Sequence, residues 1–144
     1  MITIISVGTN KMFKDQEKEY LTRINHFSKA EVLELKNDKS QNIEEVIKKE
    51  GESLLSKIKD KPFIALDPKG AQLTTVDFAH LLKKTIAPVF VIGGANGLSE
   101  DVKKRAKSTI SLSSMTFTHE MARILLLEQI YRTLTIERNM KYHK

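Results

Sequence analysis

The chain opens on a run, Ile2 to Val7, in which β-branched residues dominate and which stops at Gly8. Such a run suits a strand buried on both faces, as inside a parallel sheet. Phe13, Tyr20, Leu21, Ile24 and Phe27 follow at largely helical spacings, and Glu31-Val32-Leu33-Glu34-Leu35 returns to an extended pattern. Asn42, with Glu45 three residues on, marks a helix start. Ile43, Val46, Ile47, Leu54, Leu55 and Ile58 form one apolar stripe behind it. Phe63 to Leu66 reads as a third strand, expected to close at Asp67-Pro68-Lys69-Gly70, because proline removes a ladder donor and glycine favours a turn. Thr74 begins the next helix, with Phe78, Leu81 and Leu82 on its buried side, and Pro88 to Ile92 is the most strand-like segment of all. A glycine loop follows. Ser99 caps a short basic helix as far as Lys107, Thr109 to Leu112 makes the last strand, and a long helix runs from Thr118 to Ile136.

Strands that alternate with helices in this way predict an α/β fold: a mainly parallel sheet covered on both faces, with ligands gathering at the carboxyl ends of its strands. The loops after Leu66, Ile92 and Leu112 are then the places to look for a site. The last helix carries Met121, Ile124, Leu125, Leu126, Leu127, Ile130, Tyr131 and Leu134, more than the arc of roughly 100° that one core contact requires. It needs two apolar neighbours. A chain this small is expected to find the second in another copy of itself, so a homodimer is predicted. With 144 residues, 40% of them apolar, the chain supports one core and is read as a single domain, 1–144.

Composition narrows the chemistry. There is no cysteine, which removes disulfides, thiolate metal ligands and cysteine nucleophiles together. The histidines, His26, His80, His119 and His143, contain no H-x-x-x-H pair, so no metal site is expected. No stretch approaches the roughly 18 consecutive apolar residues of a membrane span, and no charged segment precedes Ile2, so a cytoplasmic protein is expected, with no membrane partner. Of the net charge of +6, residues 73–144 hold +5. That bias favours polyanions and makes a nucleic-acid partner an expectation, against the alternative of solvated helix faces. Lys103, Lys104, Arg105 and Lys107 are the candidates for diffuse RNA contact. Arg123, Arg132 and Arg138 could also meet phosphates, although Glu128 stands four residues before Arg132 and can pair with it.

Two segments carry candidate chemistry. Gly93-Gly94-Ala95-Asn96-Gly97-Leu98-Ser99 joins a strand to a helix, where missing side chains let backbone amides approach a ligand. It satisfies neither G-x-G-x-x-G nor a P-loop, and taken alone is equally a tight connection. Leu112-Ser113-Ser114-Met115-Thr116-Phe117-Thr118-His119-Glu120 exposes two large apolar side chains among small hydroxyls before the long helix. It could enclose a flat heterocycle, or its apolar residues could be core.

Taken together, in this order and spacing, and with Tyr142-His143-Lys144 at the end, these segments resemble the RlmH-type 23S rRNA pseudouridine methyltransferases of the SPOUT class. The resemblance implies a SPOUT-like sheet flanked by helices, with a C-terminal trefoil knot, a rare exception to unknotted topology. It implies S-adenosylmethionine as cofactor, bound by Leu66, Gly93, Leu112, Ser113, Ser114, Met115, Thr116 and Phe117, and large-subunit ribosomal RNA or the ribosome as partner. Transfer to a pseudouridine N3 needs a base or a group that stabilises the ring anion. His143 is the candidate base, and Tyr142 would stack on or hydrogen-bond the target. His119, at the start of the long helix, is expected to be neutral and hydrogen-bonded rather than catalytic. Two departures stand out: Thr118 where the family commonly has proline, and Arg138-Asn139-Met140-Lys141 where it usually has a glycine and a proline. The alternative that remains is a catalytically silent RNA-binding dimer of the same fold. A nucleotide hydrolase lacks the carboxylate cluster its metal would need.

Overall fold

The structure is a computed structural model that describes residues 1–144. Its elements run β1 (Ile2–Val7), α1 (Lys14–Asn25), β2 (Ala30–Leu35), α2 (Ile43–Ile58), β3 (Ile64–Gln72), α3 (Thr75–Lys84), β4 (Val89–Ile92), α4 (Glu100–Arg105), β5 (Ser108–Ser111) and α5 (His119–Glu137). All strand pairs are parallel, in the order β2-β1-β4-β3-β5. The period-two alternation sorts the strand residues into two cores. Ile2, Ile4, Ile64, Phe90, Ile92 and Ile110 pack with Ile24, Phe78, Leu82, Leu126, Leu127 and Ile130 from α1, α3 and α5. Ile5, Val7, Phe63, Ala65, Val89 and Val91 pack on the other face with Leu54, Ile58 and Val102 from α2 and α4.

Helix starts follow local chemistry. Asn42 Oδ1 accepts from the N–H groups of Glu44 and Glu45 at 2.9 and 3.3 Å. Thr74 and Asp77 form a reciprocal capping box, and each such cap contributes about 1 kcal/mol. Thr118 Oγ1 accepts from Met121 N–H at 3.2 Å, so threonine caps α5. Asn139 takes a φ of +53°, a left-handed conformation that asparagine tolerates almost as glycine does.

Two expectations need correction. β3 does not end at Leu66: after a register shift between Leu66 and Ala71 it resumes against β5, pairing Ala71 with Ile110 and Gln72 with Ser111. Pro68 sits inside that bulge, where no ladder donor is required. The apolar girth of α5 also finds cover within the protomer. α1 and α3 flank it while the sheet lies beneath, so the helix surface does not by itself demand a second copy.

Candidate active site

Because β4, β3 and β5 lie side by side and parallel, the loops that leave them emerge at one edge of the sheet. There they line one cavity of about 290 Å³: Leu66, Asp67 and Pro68 from the first loop, Ile92 to Gly97 from the second, Leu112, Ser113, Met115, Thr116 and Phe117 from the third, and Ala122 from α5. Of the expected cofactor residues only Ser114 does not line it. Sequence reading missed Asp67, Asn96 and Ala122. The first two lay in turns already singled out, whereas Ala122 has no signal, since only the packing of α5 brings it to the wall.

Each loop is shaped by its own residues. A Cβ on Gly93 would lie 2.7 Å from the carbonyl carbon of Gly97 and 2.8 Å from its oxygen, so the loop closes on itself only with glycine there. Ser111 Oγ donates to the carbonyl of Ser113 at 2.6 Å, and Ser113 Oγ accepts from Met115 N–H at 3.0 Å. These bonds turn the third loop outward, leaving Met115 73% and Phe117 37% exposed at the mouth. On the opposite rim Lys103 Nζ lies 3.1 Å from Asp67 and 3.0 Å from Glu100. Burial opposes ionisation of Asp67, but the Lys69 N–H and the Lys103 ammonium outweigh it and hold the carboxyl below its ordinary value. The cavity thus offers apolar walls for a flat ring, glycine backbone and a fixed carboxylate, a donor set that fits an adenosine-type cofactor.

Residues 1–143 match the family described as predicted SPOUT methyltransferase. The chain belongs to that family. This SPOUT methyltransferase is 44% identical over 154 residues to a protein of Caldicellulosiruptor saccharolyticus named ribosomal RNA large subunit methyltransferase H, with all of both chains covered. A protein of the same name from Clostridium beijerinckii is 43% identical, with 99% of each chain covered. A probable methylase family protein from Haemophilus influenzae shares the fold, with a TM-score of 0.59 at 11% identity over 99% of this chain and 70% of that one.

Most of the basic residues expected to meet RNA are engaged internally in this SPOUT methyltransferase. Arg123 is fully buried, so it has no surface to offer a phosphate. It donates to the carbonyl of Gly8 at 3.2 Å and to Glu17 and Glu34 at 2.6 and 3.0 Å, tying β1, α1 and β2 to α5. Arg105 donates to the carbonyls of Lys59 and Lys61 and lies over the Phe63 ring. Arg138 donates to the carbonyls of Leu134 and Phe27 and covers the Phe27 ring at 4.6 Å. Lys104 and Lys107 remain exposed without a side-chain partner.

The tail residues do not line this cavity. They pack on α5 instead: Tyr142 donates to Glu128 at 3.1 Å, with its ring against Tyr131 and beneath the Arg132 guanidinium. Burial, then the Glu128 charge, pushes the Tyr142 hydroxyl up to about 12. Arg132 is bonded to Glu128 and lies 3.2 Å from Nδ1 of His143. Since arginine only donates, Nδ1 accepts.

Behind the glycine loop lies a second titratable group. Glu50 is 5% exposed, accepts from Asp38 N–H at 3.0 Å, and has no partner for Oε1. Burial pushes its carboxyl up; the Asp38 N–H opposes this, the Asp38 charge adds to it and His119 opposes it. The folded protein therefore holds this proton more tightly than the unfolded chain, and stability falls as pH rises from the unfolded glutamate value through the raised one. Glu50→Gln should raise the Tm at neutral pH, with the gain vanishing below the ordinary glutamate range. Thermal unfolding across pH checks this, and a variant no more stable than the parent at neutral pH would reject it.

Proposed function

We propose that the protein transfers the methyl group of S-adenosylmethionine to N3 of a pseudouridine in large-subunit ribosomal RNA. In this reading it acts as a cytoplasmic homodimer on the assembled ribosome. The observation that carries it is the convergence of three loops, each holding residues expected to bind the cofactor, on one cavity at the edge of a parallel sheet. The full-length relatives named for large-subunit ribosomal RNA methylation support the substrate class. Threading of the C-terminal segment as a trefoil knot would hold the third loop rigid.

When bound, the cofactor supplies an electrophilic methyl group on a sulfonium. The apolar walls, Leu66, Leu112, Met115 and Phe117, would enclose the adenine, and the Gly93 to Gly97 backbone would approach the ribose side. Methyl transfer is an in-line displacement, so the remaining task is to align N3 and favour loss of its proton. Tyr142 stays protonated at neutral pH and acts as a donor that positions the base. His143, with Nδ1 occupied by Arg132, carries its ring proton on Nε2, so it can accept a proton only by leaving Arg132. The guanidinium released at that moment would stabilise the ring anion. Since this group lies outside its own cavity, the tail is assigned to the cavity of the partner, and the exposed Met115 and Phe117 to the dimer contact.

Mixing tests the arrangement. Gly93→Val protomers and protomers lacking residues 142–144 should each be inactive alone, and co-expressed heterodimers should regain transfer of labelled methyl groups to ribosomes. No recovery would mean that the tail serves its own protomer. Label on a nucleoside other than pseudouridine would reject the target, and faster labelling of free RNA than of ribosomes would reject the assembled particle as substrate. Calorimetry showing no affinity for S-adenosylmethionine would leave the silent RNA-binding dimer.

A further inference from the structure

We propose that a groove along α1, edged by Lys11, Lys14 and Lys18, holds the phosphodiester backbone of the substrate RNA. The proposal rests on the ribosomal RNA reading above and moves the RNA contact away from the C-terminal arginines. Lys14, Lys18 and Thr22 stand at i, i+4 and i+8 and share one helix face, with Lys11 three residues ahead of the first of them. They border a groove of about 760 Å³ whose lining is polar apart from Leu21. All three lysines are exposed and none has an acidic partner.

The groove also contains carboxylates, Glu17 and Glu34, which would ordinarily cancel those lysines. Both are bonded to the buried Arg123 guanidinium. With that charge included, the residues lining the groove keep a positive excess, and both acids are paired with Arg123 and not with a groove lysine. This explains why a buried arginine accompanies a basic surface it never reaches.

Position joins the groove to the cofactor cavity. Glu120, in the first turn of α5, accepts from the backbone N–H groups of Lys11 and Met12 at 3.1 and 2.9 Å. That turn follows directly on the Met115 to Phe117 loop that walls the cavity. An RNA strand whose target base enters the cavity would pass over the α5 start and meet Lys11 first. Contacts of this kind supply affinity and register rather than base choice.

The test measures binding of a large-subunit ribosomal RNA transcript over a range of KCl concentrations. The triple variant Lys11→Gln/Lys14→Gln/Lys18→Gln is compared with an equal charge removal on the opposite face of the sheet, Lys48→Gln/Lys57→Gln/Lys61→Gln. The groove triple should flatten the dependence of log K on log salt by about 2, at about 0.7 per lost phosphate contact, and weaken binding at least about tenfold at low salt. Its affinity for S-adenosylmethionine should be unchanged, and the control triple should resemble the parent. If the groove triple disturbs the fold, Lys14→Gln/Lys18→Gln, confined to exposed helix positions, replaces it with proportionately smaller effects. Equal losses in both triples, or parental binding by the groove variant, would overturn the proposal. A parent protein that neither binds nor methylates the RNA would instead bring down the ribosomal RNA reading itself.

Discussion

Gly93→Val should abolish useful affinity for S-adenosylmethionine while leaving a cooperatively folded protein. The added Cβ would meet the backbone of Gly97 at 2.7 to 2.8 Å and Leu98 Cδ2 at 3.0 Å, and the valine γ-carbons have still less room. Backbone cannot rotate aside as a side chain can, so the loop from Gly93 to Gly97 must open. Overpacking of this kind costs about 1–3 kcal/mol, and a binding loop offers the least resistance to it. The bound shape then becomes a minor conformation, and each 1.4 kcal/mol needed to restore it weakens binding about tenfold. A loss of about a hundredfold is expected in calorimetry, with a smaller loss for Gly93→Ala. The Tm should fall by only a few degrees, because opening the loop relieves the clash and, of the atoms met, only Leu98 belongs to a buried core. Unchanged affinity would place the cofactor elsewhere.

Arg123→Ala is expected to be the most destabilising single change. The guanidinium is 0% exposed and serves three acceptors, one in the loop after β1, one on α1 and one on β2. Removing it leaves Glu17 and Glu34 facing each other without a cation and a buried carbonyl on Gly8 without a donor. Breaking a buried pair in this manner costs roughly 3–5 kcal/mol. The value expected here is near the lower end, since Glu34 reaches solvent, and corresponds to a fall in Tm of roughly 10 °C for a chain of this size. Arg123→Lys should recover only part, because an ammonium cannot reproduce the fork. Arg123→Met with Glu17→Leu and Glu34→Gln should recover more than Arg123→Ala alone. A variant that kept its Tm but lost RNA affinity would make Arg123 a phosphate contact after all.

Most of the architecture was legible in the order of residues because it depends on local rules. Short apolar runs rich in β-branched residues marked β1 and β4, Asn42, Thr74, Ser99 and Thr118 marked helix starts, and alternation of strand and helix implied a parallel sheet. Parallel strands put all their carboxyl ends on one edge, so loops after Leu66, Ile92 and Leu112 could be named as site candidates without coordinates. The continuation of β3 past Pro68 was not legible, since a bulge is decided by the neighbouring strand and not by the proline.

The fate of the charges was the least legible part, because sequence counts a cation without showing what faces it. Arg123 and Lys18 are each one positive charge in the chain; packing buries the first among Glu17, Glu34 and Gly8 and leaves the second free at the rim of a groove. The same holds for Tyr142 and His143, whose identity announced chemistry but whose partners, Glu128 and Arg132, are set by how the tail folds back on α5. Sequence by itself therefore determined the parallel α/β architecture and the loops that make the cavity, since each follows from spacing along a few neighbouring residues. Only tertiary structure decided which basic groups are free, how α5 is covered and that the tail lies outside the cavity. Those outcomes depend on contacts between segments as many as 115 residues apart, as between Gly8 and Arg123, and no local pattern encodes them.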